Sequence, residues 1–368
     1  MAKRIRLACT AAALVPLALL AAACSSSSST PAASKSSPAA AALNASGKSI
    51  SETGSTLLFP LFGTWQTAYS TANAAVTITS GATGSGTGIA DASEGLVNIG
   101  ASDAYLSAAD LEKYPGLLNI PLAVASVDVY YNLPGVKSLN LNGTVLAQIY
   151  TGKITAWNDP AIAKLNPGAS LPSTKIVTLH RADSSGSSFL FTSYLSAQDP
   201  SAWPASNVGT TITWPSAPGA LAETGSGGMV TGCGGTKGCI AYIGISYQAK
   251  ATAAGLASAA LANKAGKYVQ DTPASVGAAL ASFPAAPSSG AESLINTSAA
   301  TGYPIINYEY AIVKKTQPSA AESKAVTAFL SWILTTGDSA KNLSTVGFVA
   351  LPSATLSTAQ SLVSSIGK

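Results

Sequence analysis

Short apolar segments alternate with longer helix-like segments along most of the chain after residue 48. This alternation is typical of an α/β fold, in which helices cover the faces of a largely parallel sheet. The strand-like segments are 76–78, 96–99, 122–131, 175–179 and 303–313, and the helix-like segments are 62–71, 145–150, 188–195, 275–282 and 320–335. Because about 320 residues exceed what one hydrophobic core usually holds, we expect two lobes.

The first 48 residues differ in composition from the rest. Residues 1–23 combine a basic start, an apolar centre and three alanines before Cys24, which predicts a signal peptide too short to span a membrane stably. The small residues before Cys24 and the serines after it predict a lipoprotein cleavage site, so that Cys24 becomes a lipid anchor. Simple secretion is the alternative. Residues 24–48, rich in Ser, Ala and Pro, are expected to form a flexible tether.

The charge balance argues against nucleic-acid binding. The predicted signal peptide holds three of the 20 basic side chains and none of the 16 acidic ones. The mature chain is therefore close to neutral, and nothing in it indicates a basic surface for nucleic acid. A near-neutral protein attracts an anion through a local site more than through a long-range field.

Cys9 lies in the predicted signal peptide and Cys24 is the predicted lipid anchor, so two cysteines remain. They are Cys233 and Cys239, which flank a short Gly-rich loop. In an exported chain this arrangement predicts a disulfide. A metal site is the alternative, but two thiols alone make a poor zinc site and the single histidine, His180, is distant in sequence. We expect no metal and no cofactor.

Residues 180–188 read His-Arg-Ala-Asp-Ser-Ser-Gly-Ser-Ser and lead into an apolar segment that resembles a helix. The first N–H groups of a helix lack intrahelical partners and carry partial positive charge, so they can bind a tetrahedral anion. The neighbouring Arg181 adds a planar charged group that matches two oxygens. An ordinary capped helix with a surface ion pair is the alternative.

Two further small-residue turns resemble junctions between a strand and a helix, with a hydroxyl near the helix N-cap. They are Gly-Ser-Thr at 54–56 and Gly-Ser-Gly-Thr-Gly at 84–88, and the second is followed by an apolar-flanked acid, Asp103. The second turn matches neither the Rossmann nor the Walker spacing. Together, the three turns, one Arg and one Asp predict a water-excluding oxyanion site.

With these motifs, the chain resembles the phosphate-binding proteins that supply bacterial ABC phosphate importers. The resemblance runs from about residue 54 to about residue 352. Its motifs are Gly-Ser-Thr at 54–56, Gly-Ser-Gly-Thr-Gly at 84–88, Gly-Ala-Ser-Asp at 100–103, 149–159, 163–168, Arg-Ala-Asp-Ser-Ser-Gly-Ser at 181–187 and 303–310. It implies a type II periplasmic-binding fold with the ligand between two α/β lobes. Lobe I would comprise 49–125 plus 303–368 and lobe II 126–302, joined by crossings near 122–131 and 302–308.

The resemblance also implies a set of phosphate-binding residues. Thr56 and Ser85 would supply hydroxyl donors, Leu57 a backbone N–H, and Arg181 a cationic clamp that Asp183 holds in place. The remaining members are Asp103 inside the site and the helix-start donors Ser185, Gly186 and Ser187. The family often has an aromatic-Pro pair where this chain has Leu57-Leu58, Gly at Ser184 and Thr at Ser187, and the two serines preserve the donor role.

An acidic residue inside an anion site has a chemical purpose. An ionised Asp103 can only accept hydrogen bonds, and a protonated phosphate has a proton to donate whereas sulfate at neutral pH has none. Sulfate would leave two acceptors facing each other in a dry cleft, which costs several kcal/mol. We therefore expect Asp103 to select phosphate over sulfate.

The expected function is that of a monomeric lipoprotein on the outer face of the cell membrane, which captures inorganic phosphate and delivers it to the permease subunits of an ABC importer. An enzyme is not expected, because no nucleophile with a base and no metal cluster is evident. A phosphate sensor or surface protein without a transport role, and a binder of another oxyanion such as sulfate, are the alternatives. His180 is interpreted as a strand-end residue that faces solvent or the partner lobe, and a role in making the site pH-sensitive is the alternative. Glu309 is interpreted as a fold-stabilising partner and not as a ligand group.

Overall fold

The computed structural model describes residues 49–368; the predicted signal peptide, the tether, Cys9 and Cys24 lie outside the described residues. The strands are β1 (Ser49–Gly54), β2 (Thr77–Thr79), β3 (Ile99–Ser102), β4 (Leu117–Tyr131), β5 (Asn140–Leu141), β6 (Val177–Arg181), β7 (Leu221–Glu223), β8 (Cys239–Gly244), β9 (Ala257–Ser258), β10 (Ala260–Ala262), β11 (Tyr268–Val269) and β12 (Ile306–Lys314). They alternate with helices through most of the described sequence.

The α-helices are α1 (Phe59–Ala72), α2 (Ser85–Glu94), α3 (Ala108–Lys113), α4 (Gly143–Tyr150), α5 (Pro160–Leu165), α6 (Gly186–Gln198), α7 (Gly225–Gly235), α8 (Gln248–Ala253), α9 (Pro273–Leu280), α10 (Ala320–Trp332), α11 (Ala340–Ser344) and α12 (Ser353–Ser364). Short 3-10 turns occupy Ala205–Asn207 and Ile245–Tyr247, and one π-helical turn, Ile333–Gly337, follows α10. No helix within residues 49–368 combines the length and the apolar character that crossing a membrane requires.

One continuous hydrogen-bonded array of nine strands organises the described chain. Its order is β2-β1-β3-β12-β4-β8-β6-β7, and β9 pairs with β4 beside this path. The pairs β1–β2, β1–β3, β6–β8 and β6–β7 are parallel, whereas β12 is antiparallel to β3 and β4, and β4 is antiparallel to β8 and β9. A small sheet of order β11-β10-β5 lies apart from it.

Strand β4 changes its partner about two thirds of the way along its length. Residues up to Ser126 pair with β12, and residues from Val127 onward pair with β8. The chain that precedes β12 meets β4 at the same place, because the Val127 N–H donates to Ile305 O at 3.0 Å and the Tyr303 hydroxyl donates to Val127 O at 3.1 Å. Two segments distant in sequence therefore lie side by side where β4 passes from one partner to the other.

The strand predicted at 96–99 begins later than expected. Gly95 ends α2 in the left-handed conformation, φ 75°, and Leu96 is 44% exposed. Asn98 contacts β1 through its side chain, because its Oδ1 accepts the Ser51 N–H at 2.9 Å. The apolar residues after the helix therefore form an irregular connection, and β3 starts at Ile99.

Cys233 and Cys239 form a disulfide, which confirms the sequence prediction. Both are fully buried, and the bond closes the loop between α7 and β8. The Asn132 amide donates to Cys233 O at 3.0 Å, and the Trp157 indole donates to Gly238 O at 2.9 Å. The loop is therefore also held to two other segments.

We expect the loss of this disulfide to lower the free energy of unfolding by about 2 kcal/mol, because a short closed loop restricts the unfolded chain only modestly. Urea unfolding of the oxidised protein and of a Cys233→Ala/Cys239→Ala double variant measures the difference. Reductant should destabilise the wild type and leave the double variant unchanged. Equal sensitivity of the two proteins to reductant would contradict a native disulfide.

Candidate functional site

The turns predicted to bind an anion meet at the carboxylate of Asp103, directly after β3. The hydroxyl of Ser55 donates to Oδ1 of Asp103, Ser85 Oγ donates to the same oxygen at 3.5 Å, and Ser187 Oγ donates to Oδ2 at 2.9 Å. Asp103 is only 2% exposed. Three turns far apart in sequence therefore place hydroxyl groups around one buried carboxylate.

The turn before α2 needs glycine at position 84. Gly84 has a φ of 97°, and a side chain there would lie 2.6 Å from Ser184 O. Gly84 is the N-cap of this helix, and the hydroxyl expected near the N-cap is that of Ser85, the first helical residue, which makes no capping hydrogen bond. The Ser85 hydroxyl instead accepts the Asp103 N–H at 3.2 Å, which links the turn to the acid.

Helix α6 begins as the sequence predicted, with a hydroxyl at its N-cap. Ser185 Oγ accepts the Ser188 N–H at 3.2 Å, so the N–H groups of Gly186 and Ser187 are the first two of the helix and lack intrahelical partners. A Cβ on Gly186 would lie 2.5 Å from Ser85 Oγ and 2.6 Å from Asp103 Cβ. Only glycine lets the helix start approach the acid this closely.

Arg181 and Asp183 form the one ion pair within residues 49–368. The Arg181 Nε donates to Asp183 Oδ1 at 2.6 Å, and a second guanidinium N–H donates to Oδ2. The Gly225 N–H, at the start of α7, also donates to Oδ1 at 3.0 Å. Burial alone would raise the pKa of Asp183, but these hydrogen bonds and the charge of Arg181 hold it below the ordinary value. The acid thus fixes the plane of the buried guanidinium.

Tyr242 on β8 supports the Arg181 segment and was missed by the sequence analysis. Its hydroxyl accepts the Arg181 N–H at 2.9 Å and hydrogen-bonds with Ser188 Oγ at 2.7 Å. Its ring stacks on Phe191 at 4.6 Å between centroids. The end of β6 and the start of α6 are therefore tied to a neighbouring strand, and no local motif in the sequence indicates this.

Thr56 and Leu57 lie beside the cluster and contact different partners. Thr56 Oγ1 is 2.8 Å from Ser226 Oγ and accepts the Ser226 N–H at 3.2 Å, and no hydrogen bond joins it to Asp103 or Arg181 among the described residues. Leu57 is fully buried, and its carbonyl accepts the Ser246 hydroxyl at 2.7 Å. In the first turn, Ser55 contacts Asp103, although the sequence analysis singled out Thr56.

His180 lies next to Arg181 but belongs to an aromatic contact. Its ring stacks on Trp214, with 5.1 Å between centroids, and burial lowers its pKa. In the described part of the chain, no group of three or more His, Cys, Asp or Glu side chains is placed to hold a metal ion. The described site therefore consists of hydroxyl donors around one buried acid, Asp103, and of the Arg181–Asp183 ion pair at the end of β6.

Comparison with known proteins identifies the family. The profile of the PBP superfamily domain matches residues 29–336. The phosphate-binding protein PstS of Xylella fastidiosa is 32% identical over 306 residues, which cover 82% of this chain and 81% of that protein. PstS of Methanocaldococcus jannaschii is 33% identical over 290 residues, which cover 73% of this chain and 74% of that protein.

A solved structure shares the fold. The phosphate-binding protein from Stenotrophomonas maltophilia superposes with a TM-score of 0.67 at 22% identity, and the match covers 85% of this chain and 93% of that one. The expected type II periplasmic-binding fold is confirmed, and the relatives are binding proteins rather than enzymes. This chain belongs to the PstS family of phosphate-binding proteins, within the PBP superfamily.

Proposed function

We propose that this protein is an extracytoplasmic receptor that captures inorganic phosphate and delivers it to an ABC permease. The observation that carries the proposal is the buried carboxylate of Asp103 among hydroxyl donors, close to a helix start. Such a cluster suits a ligand that accepts many hydrogen bonds and donates one. Protonated phosphate has both properties.

The donors come from three sources. The hydroxyls of Thr56, Ser85, Ser185 and Ser187, the N–H groups of Leu57, Gly186 and Ser187, and the guanidinium of Arg181 form the proposed binding set, in which Asp183 orients Arg181. Arg181 is 5% exposed and Ser85 fully buried. Hydrogen bonds in such a water-excluding site are stronger than in solvent, particularly those of the charged arginine.

Capture requires the cleft to open and close. We assign lobe I to 49–125 plus 303–368 and lobe II to 126–302, and the change of partner of β4 between Ser126 and Val127 supports this division. The proposed binding groups then come from both lobes, with the donor Ser85 and the acceptor Asp103 on one side and the donors Arg181 and Ser187 on the other. Closure aligns them around the anion and removes water.

Location and delivery follow from the predicted anchor. Cys24, outside the described residues, would tether a monomeric receptor to the outer face of the cell membrane through the Ser-, Ala- and Pro-rich segment 24–48. The permease would then receive phosphate from a receptor held nearby. Deleting the gene for this protein from its host should lower phosphate uptake from dilute medium. If the protein is a sensor without a transport role, the deletion should leave uptake unchanged.

Calorimetric titration of residues 49–368 with phosphate and with sulfate at about pH 7 tests binding itself, at a pH where most sulfate has no proton and phosphate keeps at least one. We expect phosphate to bind at micromolar or lower concentrations and sulfate to bind far more weakly. If phosphate produces no heat of binding at these concentrations, or if sulfate binds equally well, the proposal fails.

Replacing Asp103 by asparagine should reduce the discrimination against sulfate. The amide keeps the size of the side chain and can donate a hydrogen bond where the carboxylate can only accept one. The variant removes one unfavourable contact between two acceptors, the carboxylate and a sulfate oxygen. We therefore expect the affinity for sulfate relative to phosphate to rise about tenfold, or about 1.4 kcal/mol. Competition titrations of both anions against wild type and Asp103→Asn measure it.

Asp110→Asn is the matched control, because the Asp110 carboxylate caps the start of α3, where it accepts hydrogen bonds from the N–H and hydroxyl of Ser107. It should leave the phosphate-to-sulfate ratio unchanged. If the phosphate-to-sulfate affinity ratio is also unchanged in Asp103→Asn, the discrimination between the two anions depends on the number and placement of the donors and not on Asp103.

A further inference from the structure

Glu309 is a buried acid on the central strand of the sheet, beside the proposed phosphate site. It is fully buried on β12. Tyr310 pairs with Ser102, the last residue of β3, so the antiparallel register brings Glu309 level with Asp103. Two residues earlier on the same strand, the Asn307 amide donates to Asp103 O at 2.8 Å. Strand β12 therefore contacts the Asp103 segment through both its register and this hydrogen bond.

The carboxyl group of Glu309 faces Asp103 and no conventional donor. Neither of its oxygens accepts a hydrogen bond from a donor within residues 49–368. The Asp103 carboxyl group lies within hydrogen-bonding reach. Two carboxyl groups can form a hydrogen bond only when one of them carries a proton.

Within residues 49–368, Asp103 is the one ionisable group that acts on the carboxyl group of Glu309. Strand β4 places Ala123 opposite Glu309, and β3 contributes only uncharged residues. The buried residues of α2 and α9, which pack against β12, carry no ionisable side chain. Burial first, and then the neighbouring Asp103, raise the pKa of Glu309 well above its ordinary value. Two adjacent carboxylates in a buried site would repel each other strongly.

We infer that Glu309 is a protonated carboxylic acid that donates a hydrogen bond to the carboxylate of Asp103 and orients it toward the anion. The inference rests on the proposed phosphate function for the part that concerns the ligand. Glu309 is a positioning residue, because it acts through Asp103. Its proton keeps the pair at a single negative charge, and its hydrogen bond holds the Asp103 carboxylate in one orientation.

A conservative and a disruptive variant separate this role from packing. Glu309→Gln keeps an uncharged donor toward Asp103, whereas Glu309→Leu keeps a similar volume without a donor. In Glu309→Leu, the Asp103 carboxylate loses the donor that holds its orientation toward the anion. Its oxygens are then less well placed to accept the phosphate proton, so phosphate affinity and the preference for phosphate over sulfate should both fall.

The experiment measures phosphate and sulfate affinity at about pH 7, where sulfate carries no proton and phosphate keeps at least one. Glu309→Gln should retain the wild-type affinity and selectivity. Glu309→Leu should bind phosphate about tenfold more weakly and less selectively. Equal losses in both variants, or wild-type behaviour in Glu309→Leu, would overturn the role.

Glu52 provides the matched control. It is a second buried acid, on β1, whose oxygens also accept no side-chain hydrogen bond in the described chain, and burial raises its pKa. Asp103 is not among the groups that act on it. Glu52→Leu should therefore change stability without changing the phosphate affinity or the preference for phosphate over sulfate.

Infrared spectroscopy tests the proton without any ligand and without the disruptive variant. The difference spectrum of wild type and Glu309→Gln at about pH 7 should contain the C=O stretch of one protonated carboxylic acid, since an ionised carboxylate lacks that band. Its absence would overturn the inference. If phosphate fails to bind while the band is present, the proposed function fails and the protonation of Glu309 stands.

Discussion

Replacing Arg181 by alanine should weaken phosphate binding by about a hundredfold or more, which corresponds to roughly 3–5 kcal/mol. Arg181 is buried and its guanidinium plane is fixed by two hydrogen bonds to Asp183. It is the cation of the one ion pair in residues 49–368. Its loss removes the charged donor from the site and leaves the partly buried charge of Asp183 without its partner.

The hydroxyl variants provide the scale for this effect. Ser85→Ala and Ser187→Ala should each cost roughly 1–3 kcal/mol of binding, since each removes one neutral donor from a dry site. Arg181→Lys should fall between these variants and Arg181→Ala, because lysine keeps the charge but cannot make two parallel hydrogen bonds. Calorimetric titration of phosphate against all four variants gives the order.

A stability measurement must accompany the titrations, because Arg181→Ala also disturbs Asp183. Thermal unfolding without phosphate should show that each variant remains folded at the temperature of the titration. Wild-type affinity in a folded Arg181→Ala protein would remove Arg181 from the binding set. An Asp183→Asn variant with nearly wild-type affinity would show that Tyr242 and the end of β6 suffice to hold the arginine.

The sequence predicted those residues of the candidate site that lie in local turns. Ser85, Asp103 and Ser187 were identified from short motifs, and the structure brings their side chains together. Each motif needs small or polar residues at fixed spacing for a backbone reason, such as the positive φ of Gly84 or the cap by Ser185. Such backbone requirements for glycine or a capping hydroxyl can be recognised in a single sequence.

The residues that were missed depend on contacts across the fold. Tyr242 reaches Arg181 from β8, Ser226 reaches Thr56 from α7, and Glu309 reaches Asp103 from β12. Glu309 was interpreted as structural because it lies between two tyrosines in an apolar strand. Only the register of β12 against β3 brings it level with the acid, and strand register is not readable from a local motif.

The error at 96–99 has a different cause. The apolar character of Leu96 and Val97 suggested a strand, but apolar residues also occur in irregular connections. The left-handed Gly95 terminates α2 and sets the direction of the following residues. Local hydrophobicity therefore identified the strand but misplaced its start.

A pair of buried acids at the point where β4 changes partner should make the stability of the protein depend on pH. Asp128 and Asp271 are both inaccessible or nearly so. Asp128 Oδ1 accepts the Val129 N–H at 2.7 Å and the Tyr303 hydroxyl at 3.2 Å, and Asp271 Oδ2 accepts the Ser126 hydroxyl at 2.6 Å. The second oxygen of each acid accepts no hydrogen bond in the described chain.

Burial raises the pKa of both acids. That of Asp128 rises to about 7, and the negative charge of Asp128 adds to the effect of burial on Asp271. A carboxyl group with a raised folded-state pKa binds its proton more tightly in the folded protein than in the unfolded chain. Its contribution to stability is fully present below the unfolded pKa, about 3.9 for Asp, and is lost as the pH rises through about 7.

Asp128→Asn should therefore stabilise the protein at about pH 8 relative to wild type, by roughly 2–4 kcal/mol more than at about pH 4. The asparagine amide oxygen can still accept from Val129 and Tyr303, and its NH2 group supplies a permanent donor toward Asp271. Urea unfolding at a series of pH values measures the gain. Glu112→Gln, at an exposed position on α3, is the control and should give the same small change at every pH. A gain in Asp128→Asn that does not vary between these pH values would show that Asp128 is ionised in the folded protein throughout the range, with its charge compensated by the hydrogen bonds from Val129 and Tyr303.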